Sequence, residues 1–95
     1  MTVIGWKRLQ KFAGKHRDAL PALERWHDAA RRAGWRSLID VRKDFSAADA
    51  VGPLTVFNIR GNRFRLIVKI DYRWQVIVVK AVLTHDEYDR GGWKE

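Results

Sequence analysis

Residues 58–70 read NIRGNRFRLIVKI, and the alternation in this stretch decides the fold. Arg63, Arg65 and Lys69 sit two or four positions apart, with Phe64, Leu66, Val68 and Ile70 in the gaps. A period of two belongs to a β-strand, because successive side chains leave opposite faces. Gly61 and Asn62 separate this strand, residues 63–70, from an earlier one over 54–60. A two-residue Gly–Asn loop suits a tight hairpin, since glycine takes a positive φ without steric cost. Phe57 then faces Leu66 and Ile59 faces Phe64 on an apolar side. On the other side, Asn58 faces Arg65 and Arg60 faces Arg63.

The next strand is WQVIVVKAVL, residues 74–83, nearly all apolar as a central strand should be. A loop of Tyr72 and Arg73, or the longer 71–74, puts Lys80 opposite Arg65 and Val78 opposite Ile67. Asn58, Arg65 and Lys80 then form a row across three strands, on the face away from the apolar side. Like charges on neighbouring strands repel. Residues 58–80 hold six basic side chains and one acid, Asp71, which sits at a turn. Either this face is solvated with its cations splayed apart, or it holds an anion. A guanidinium fork matches phosphate geometry, and fixed cations suit the charge that grows in phosphoryl transfer.

Upstream of Gly52 and Pro53 the pattern is helical. Trp6, Leu9, Phe12 and Ala13 recur at helical spacing up to Gly14. Leu20, Leu23, Trp26 and Ala30 do so between start signals at Asp18 and Pro21 and a stop at Gly34. Helices are expected near 5–15 and 19–33, with Val3 and Ile4 as a short edge strand. SLID and SAAD, within the ambiguous residues 35–50, resemble capping boxes and suggest short helical turns. The expected fold is α+β: N-terminal helices packed on one face of a three- or four-stranded antiparallel sheet. One domain over 1–95 is expected, with a helical half to about residue 50, a β-meander over about 54–83 and a tail from 84.

The 95 residues carry 19 Lys and Arg against 11 Asp and Glu, a net charge of +8. Both halves are positive, so the field belongs to the folded body and points to an anionic partner. There is no cysteine, which excludes disulfides and thiolate metal sites and fits a reducing cytosol. No apolar run approaches the roughly 18 residues that span a bilayer, so no membrane partner is expected. The N-terminal MTVIGWKRLQKF does not read as a signal peptide. P-loop, GxGxxG, GxSxG and HExxH motifs are absent.

THDEYDRGG, residues 84–92, follows the central strand. It brings His85, a side chain able to carry a proton near neutral pH, and Tyr88, able to donate a hydrogen bond or stack on a base, to the strand end. A surface or capping histidine is the plainer alternative for His85. A metal site of His85, Asp86, Glu87 and Asp89 is disfavoured because adjacent acids point apart. His16 and His27 read as surface residues. The five tryptophans read mostly as core, with Trp93 in the tail as a candidate to stack on nucleic acid.

Residues 57–89, FNIRGNRFRLIVKIDYRWQVIVVKAVLTHDEYD, resemble the HigB-type toxins of bacterial toxin–antitoxin systems, within the RelE-like superfamily of ribosome-associated mRNA interferases. The GN-x-F-RLI core at 61–67 and TH-x-EYD at 84–89 carry the likeness. The helix LERWHDAARRAGW at 23–35 and the following FSAADAVG extend it over nearly the whole chain. Phe64 stands where tyrosine is usual in that family. The resemblance implies a RelE-like toxin fold, cytoplasmic cleavage of mRNA on the ribosome without metal or cofactor, and a HigA-type antitoxin as partner. Arg65, His85 and Tyr88 match its motifs; with Lys80 they are the expected catalytic residues. Asn58, Arg60, Arg63, Arg73 and Trp93 are expected to contact RNA. Two other readings use the same basic face: a non-catalytic RNA- or DNA-binding module, and an interaction subunit that docks an acidic partner. A titratable group beside fixed cations favours catalysis over both.

Overall fold

The computed structural model describes residues 1–94. Four helices, α1 (Trp6–Lys15), α2 (Leu20–Arg32), α3 (Leu38–Asp44) and α4 (His85–Arg90), accompany five strands. These are β1 (Thr2–Ile4), β2 (Asp49–Val51), β3 (Leu54–Ile59), β4 (Phe64–Asp71) and β5 (Val76–Thr84). They form one sheet in the order β1-β5-β4-β3-β2. The sheet is mixed: β1 runs parallel to β5 and the other pairs are antiparallel. The α+β class matches the sequence expectation; the strand count and the parallel edge do not. Val3 and Ile4 do make an edge strand, but β1 is followed by α1 and so enters beside β5 in parallel. SAAD supplies a turn and β2 instead of a helical turn, whereas Ser37 does cap α3, accepting from the Asp40 amide.

Two features shape the connection from β1 to α1. Gly5 has φ +106, and a Cβ there would lie 2.9 Å from the Cβ of Val79. Glycine alone meets both demands, so the helix can leave the strand and lie against the sheet. Within α1, Gly14 falls in the last turn and the helix ends one residue later. Asp18 does not cap α2; it sits in a 3₁₀ turn, Arg17–Ala19, ahead of it.

The core lies between α1, α2 and one face of the sheet. Leu9, Leu23, Trp26, Phe57, Leu66 and Ile77 are fully enclosed. Phe57 is its hub, with ring centroids of Trp26, Trp35 and Phe45 5.5, 6.1 and 5.3 Å away. This is the Phe57–Leu66 face expected from the period-two pattern. Trp74 departs from the expectation of core tryptophans: it stands 71% exposed in the β4–β5 turn.

The β3–β4 register is the expected one. Phe57 pairs with Leu66, Ile59 with Phe64 and Asn58 with Arg65. The amide of Arg63 donates to the carbonyl of Arg60 across Gly61 and Asn62, and Gly61 takes φ +63.

The β4–β5 register is not. The loop is Tyr72–Gln75, so Asp71 pairs with Val76 and Lys69 with Val78. Turn chemistry explains this. Asp71 accepts from the Trp74 amide, Gln75 takes φ +58, and the Gln75 amide group donates to the Tyr72 and Trp35 carbonyls. A shift at Ile67/Val68 then pairs Ile67 with Ala81 but Val68 with Val79, leaving Lys80 as the extra residue of a bulge. Arg65 consequently lies opposite Leu83, not Lys80. The expected row of Asn58, Arg65 and Lys80 is broken at its third member.

Candidate active site

The outer face of the sheet is not the open cationic surface that strand alternation alone implies. Val56 and Ile67 are 3% and 1% exposed, although they lie on the face opposite Phe57 and Leu66. After β5 the chain folds back: α4 packs on β4 and β5, and a 3₁₀ turn, Gly92–Lys94, follows it. The reversal is local. Thr84 and Glu87 form a reciprocal capping box, with Glu87 amide to Thr84 hydroxyl at 3.2 Å and Thr84 amide to Glu87 carboxylate at 3.0 Å. The hydrogen bond from the Thr84 amide is the main reason the Glu87 carboxyl stays below the ordinary carboxylate range. The capping box starts the helix at His85 and ties up Glu87. His85 and Asp89, four residues apart, share one helix face.

Arg65 is the centre of the arrangement. Its Nη1 donates to the main-chain carbonyls of Asn62 at 3.0 Å and Phe64 at 3.3 Å. Its Nη2 stands 3.4 Å from Nδ1 of His85. Its guanidinium carbon lies 5.3 Å from the centroid of the Tyr88 ring, a cation–π contact. Tyr88 in turn stacks on Trp93, centroids 4.9 Å apart at 16°, and the Trp93 indole donates to the Tyr88 carbonyl at 2.9 Å. On the far side of the imidazole, Nε2 of His85 is 3.2 Å from a carboxylate oxygen of Asp89. A guanidinium only donates, so this pairing puts the lone pair on Nδ1 and the proton on Nε2, toward Asp89. A carboxylate thus orients the imidazole, and the imidazole faces a fixed cation.

The hairpin tip buttresses the site. Asp18 accepts from both Arg60 and Arg63, the latter at 2.7 Å. Desolvation pushes the Asp18 carboxyl upward, but the Arg63 hydrogen bond and the Arg60 charge outweigh it and hold it below its ordinary value. Arg60 has φ +52, a conformation that strains a residue with a side chain; its bond to Asp18 opposes that strain. The Arg63 carbonyl accepts from the His85 amide at 2.9 Å, so the clamp also fixes the start of α4. A shallow groove of about 400 Å³ lies between the tip and α4, lined by Asn62, Arg63, Phe64, Thr84, His85 and Asp86.

Of the expected site residues, the structure gathers Asn58, Arg65, His85, Tyr88 and Trp93 on one side of the sheet. Asn58 pairs with Arg65 and its amide reaches the Asn62 side chain at 3.4 Å. Arg60 and Arg63 are turned to Asp18 instead of pairing across the outer face. Lys80 is exposed beside Lys69 and Trp93, three residues along β5 from the partner of Arg65, roughly 10 Å by strand rise. Arg73 belongs elsewhere. It lies in the opposite turn against Trp74, roughly 20 Å down the strand from Arg65. Two features carry no assignment from the sequence: the His85–Asp89 pair and the Thr84–Glu87 box. Asp89 was readable from its i, i+4 spacing to His85, and the Thr84–Glu87 box from its T-x-x-E pattern. The partnership of Asp18 with the hairpin, 42 and 45 residues away, had no sequence signal.

Fold and site define a class: a small, strongly basic α+β protein with an Arg–His–Tyr constellation on the sheet face opposite its main helices. Residues 19–91 match the family model HigB_toxin, described as the RelE-like toxic component of a toxin–antitoxin system. The chain belongs to this HigB toxin family, and membership implies a cognate antitoxin as partner. Comparison with curated proteins gives no significant match. Among the described residues, no helix is long and apolar enough to cross a membrane.

Proposed function

We propose that this toxin is an endoribonuclease that cuts mRNA on the ribosome in the cytoplasm, by attack of the RNA's own 2′-hydroxyl and without a metal ion. The convergence of Arg65, His85 and Tyr88 supports this reading most directly. In-line attack needs a proton acceptor for the 2′-OH, a proton for the departing 5′-oxygen, and positive charge on the phosphorane between them. Arg65 supplies the charge. Its present partners, two carbonyls and an imidazole nitrogen, are neutral, so a phosphate competes well for its donors. When Arg65 turns to phosphate, Nδ1 of His85 is freed to take the proton, and Asp89 stabilises the imidazolium that results, as in other carboxylate–histidine pairs. The 2′-oxygen bonds phosphorus as its proton passes to His85, the P–O5′ bond breaks, and the departing 5′-oxygen takes a proton from water. Tyr88 positions the RNA by stacking and hydrogen bonding. Lys80, with Lys69, supplies charge to a neighbouring phosphate, and Asn58 and Trp93 contact the bound strand.

Expression tests the toxin reading. Induction of the chain alone arrests growth, and co-expression of its antitoxin restores it. Arrest that persists unchanged in an Arg65→Ala variant made at the same level contradicts the proposed role of the site.

A further inference from the structure

A second basic groove borders the site just described, on the edge of β5, and shares Lys80 with it. β1 covers only Val76–Val78; from Val79 to Thr84 this edge has no strand partner among the described residues, and α1 lies along it. Arg8 reaches from α1 to donate to the Lys80 carbonyl at 3.0 Å. Between them runs a groove of about 480 Å³, with Arg8, Lys11, Lys15 and Lys80 on its walls and Phe12 and Val82 on its floor. Arg8, Lys11 and Lys15 are spaced three and four apart on one helix face, where like charges destabilise the helix. α1 itself contains no acid, and among the described residues none forms an ion pair with them.

This groove joins the proposed active site. Phe12 meets Phe64 edge-on with centroids 5.4 Å apart, and His16 stacks on Phe12 at 4.4 Å. Phe64 lines the groove that holds Arg63, Thr84 and His85. The two grooves therefore adjoin through the Phe12–Phe64 contact, and Val82 stands three residues, about 10 Å of strand, from His85. Cationic walls over an apolar floor fit a chain of phosphates carrying flat bases.

We propose that the α1–β5 groove binds single-stranded RNA next to the cleaved phosphodiester, with Lys11, Lys15, Arg8 and Lys80 on flanking phosphates and Phe12 and Val82 under a base. The inference rests on the ribonuclease reading for its substrate, but its test does not require cleavage. A fluorescent 2′-O-methyl oligoribonucleotide, which has no attacking hydroxyl, is titrated with the full chain at several salt concentrations. Lys11→Ala/Lys15→Ala should weaken binding at least about tenfold, and the slope of log K against log salt should fall by about 1.4, two phosphate contacts at ~0.7 each. Lys11→Arg/Lys15→Arg should keep both affinity and slope. Unchanged affinity and slope in the alanine variant overturn the proposal. So does a variant that keeps the oligonucleotide but loses the antitoxin, which would make the groove a protein-docking surface. Charge-dependent binding in a chain that never cleaves RNA leaves the groove standing while the catalytic reading falls. Arg65-dependent cleavage with wild-type binding in the alanine variant gives the reverse.

Discussion

Nη2 of Arg65 stands 3.4 Å from Nδ1 of His85, two residues twenty positions apart that a capping box brings to the same sheet face. The contact sets the imidazole tautomer and holds a guanidinium where it can exchange neutral partners for phosphate. It depends on three local features: the bulge at Lys80, the Thr84–Glu87 box and the bond from the His85 amide to the Arg63 carbonyl.

Arg65→Ala should therefore cost about 10²–10³-fold in cleavage rate, the usual effect of deleting one preorganised charge donor. The partly exposed side chain lies outside the core, so thermal unfolding should shift little. Arg65→Lys should recover only part of the rate, because an ammonium lacks the planar fork that reaches phosphate bidentately. Single-turnover cleavage and melting curves for the three proteins check this.

His85→Ala should lower the rate by about 10²–10⁴-fold, the range for a lost proton carrier. Asp89→Asn should give a smaller but definite loss, because the imidazole keeps its place on α4 but loses the carboxylate that fixes its tautomer. Equal rates for Asp89→Asn and wild type would remove Asp89 from the mechanism.

Asp18 contributes through the hairpin clamp. Its folded pKa lies below its unfolded value, so its stabilising effect is present above about pH 4 and is lost as pH falls through the lower, folded value. Asp18→Asn should be less stable than wild type at neutral pH, and the difference should shrink on acidification below about pH 4. Denaturant midpoints at a series of pH values read this out. A difference that stays constant with pH would mean the carboxylate charge is not what holds Arg60 and Arg63.

His27 is partly exposed, and its ring lies flat on Trp6, centroids 4.1 Å apart and 5° between planes. Burial, then the Arg31 charge, lowers its pKa below the ordinary value. A depressed histidine favours the folded state above its unfolded value, about 6.5, and loses that contribution as pH drops through the folded one. His27→Phe, which keeps a ring on Trp6, should show less loss of stability between pH 7 and pH 5 than wild type.

The two long helices, the β3–β4 hairpin and the apolar face were legible because each follows from local periodicity and a turn signal. Phe57 could be placed in the core from alternation alone. The β4–β5 register was not legible. It rests on Asp71 and Gln75 shaping a four-residue turn and on a bulge at Lys80, and no apolar pattern marks a bulge within the run VIVVKAVL. For the candidate site, Arg65, His85 and Tyr88 lie together where strand alternation and the strand-end motif both point. The ion pairs of Arg60 and Arg63 were not legible because their partner, Asp18, comes from the far side of the fold. Trp93 lies on the same side of the sheet as Arg65, but its stacking on Tyr88 depends on how α4 folds back.

The most direct test of the central claim is cleavage of a defined messenger on ribosomes by wild type and by Arg65→Ala, with the ends of every product mapped. The account predicts 2′,3′-cyclic phosphate and 5′-hydroxyl ends from wild type, and a loss of about 10²–10³-fold in Arg65→Ala. Wild-type rates in the variant, or products with 5′-phosphate ends, would contradict it.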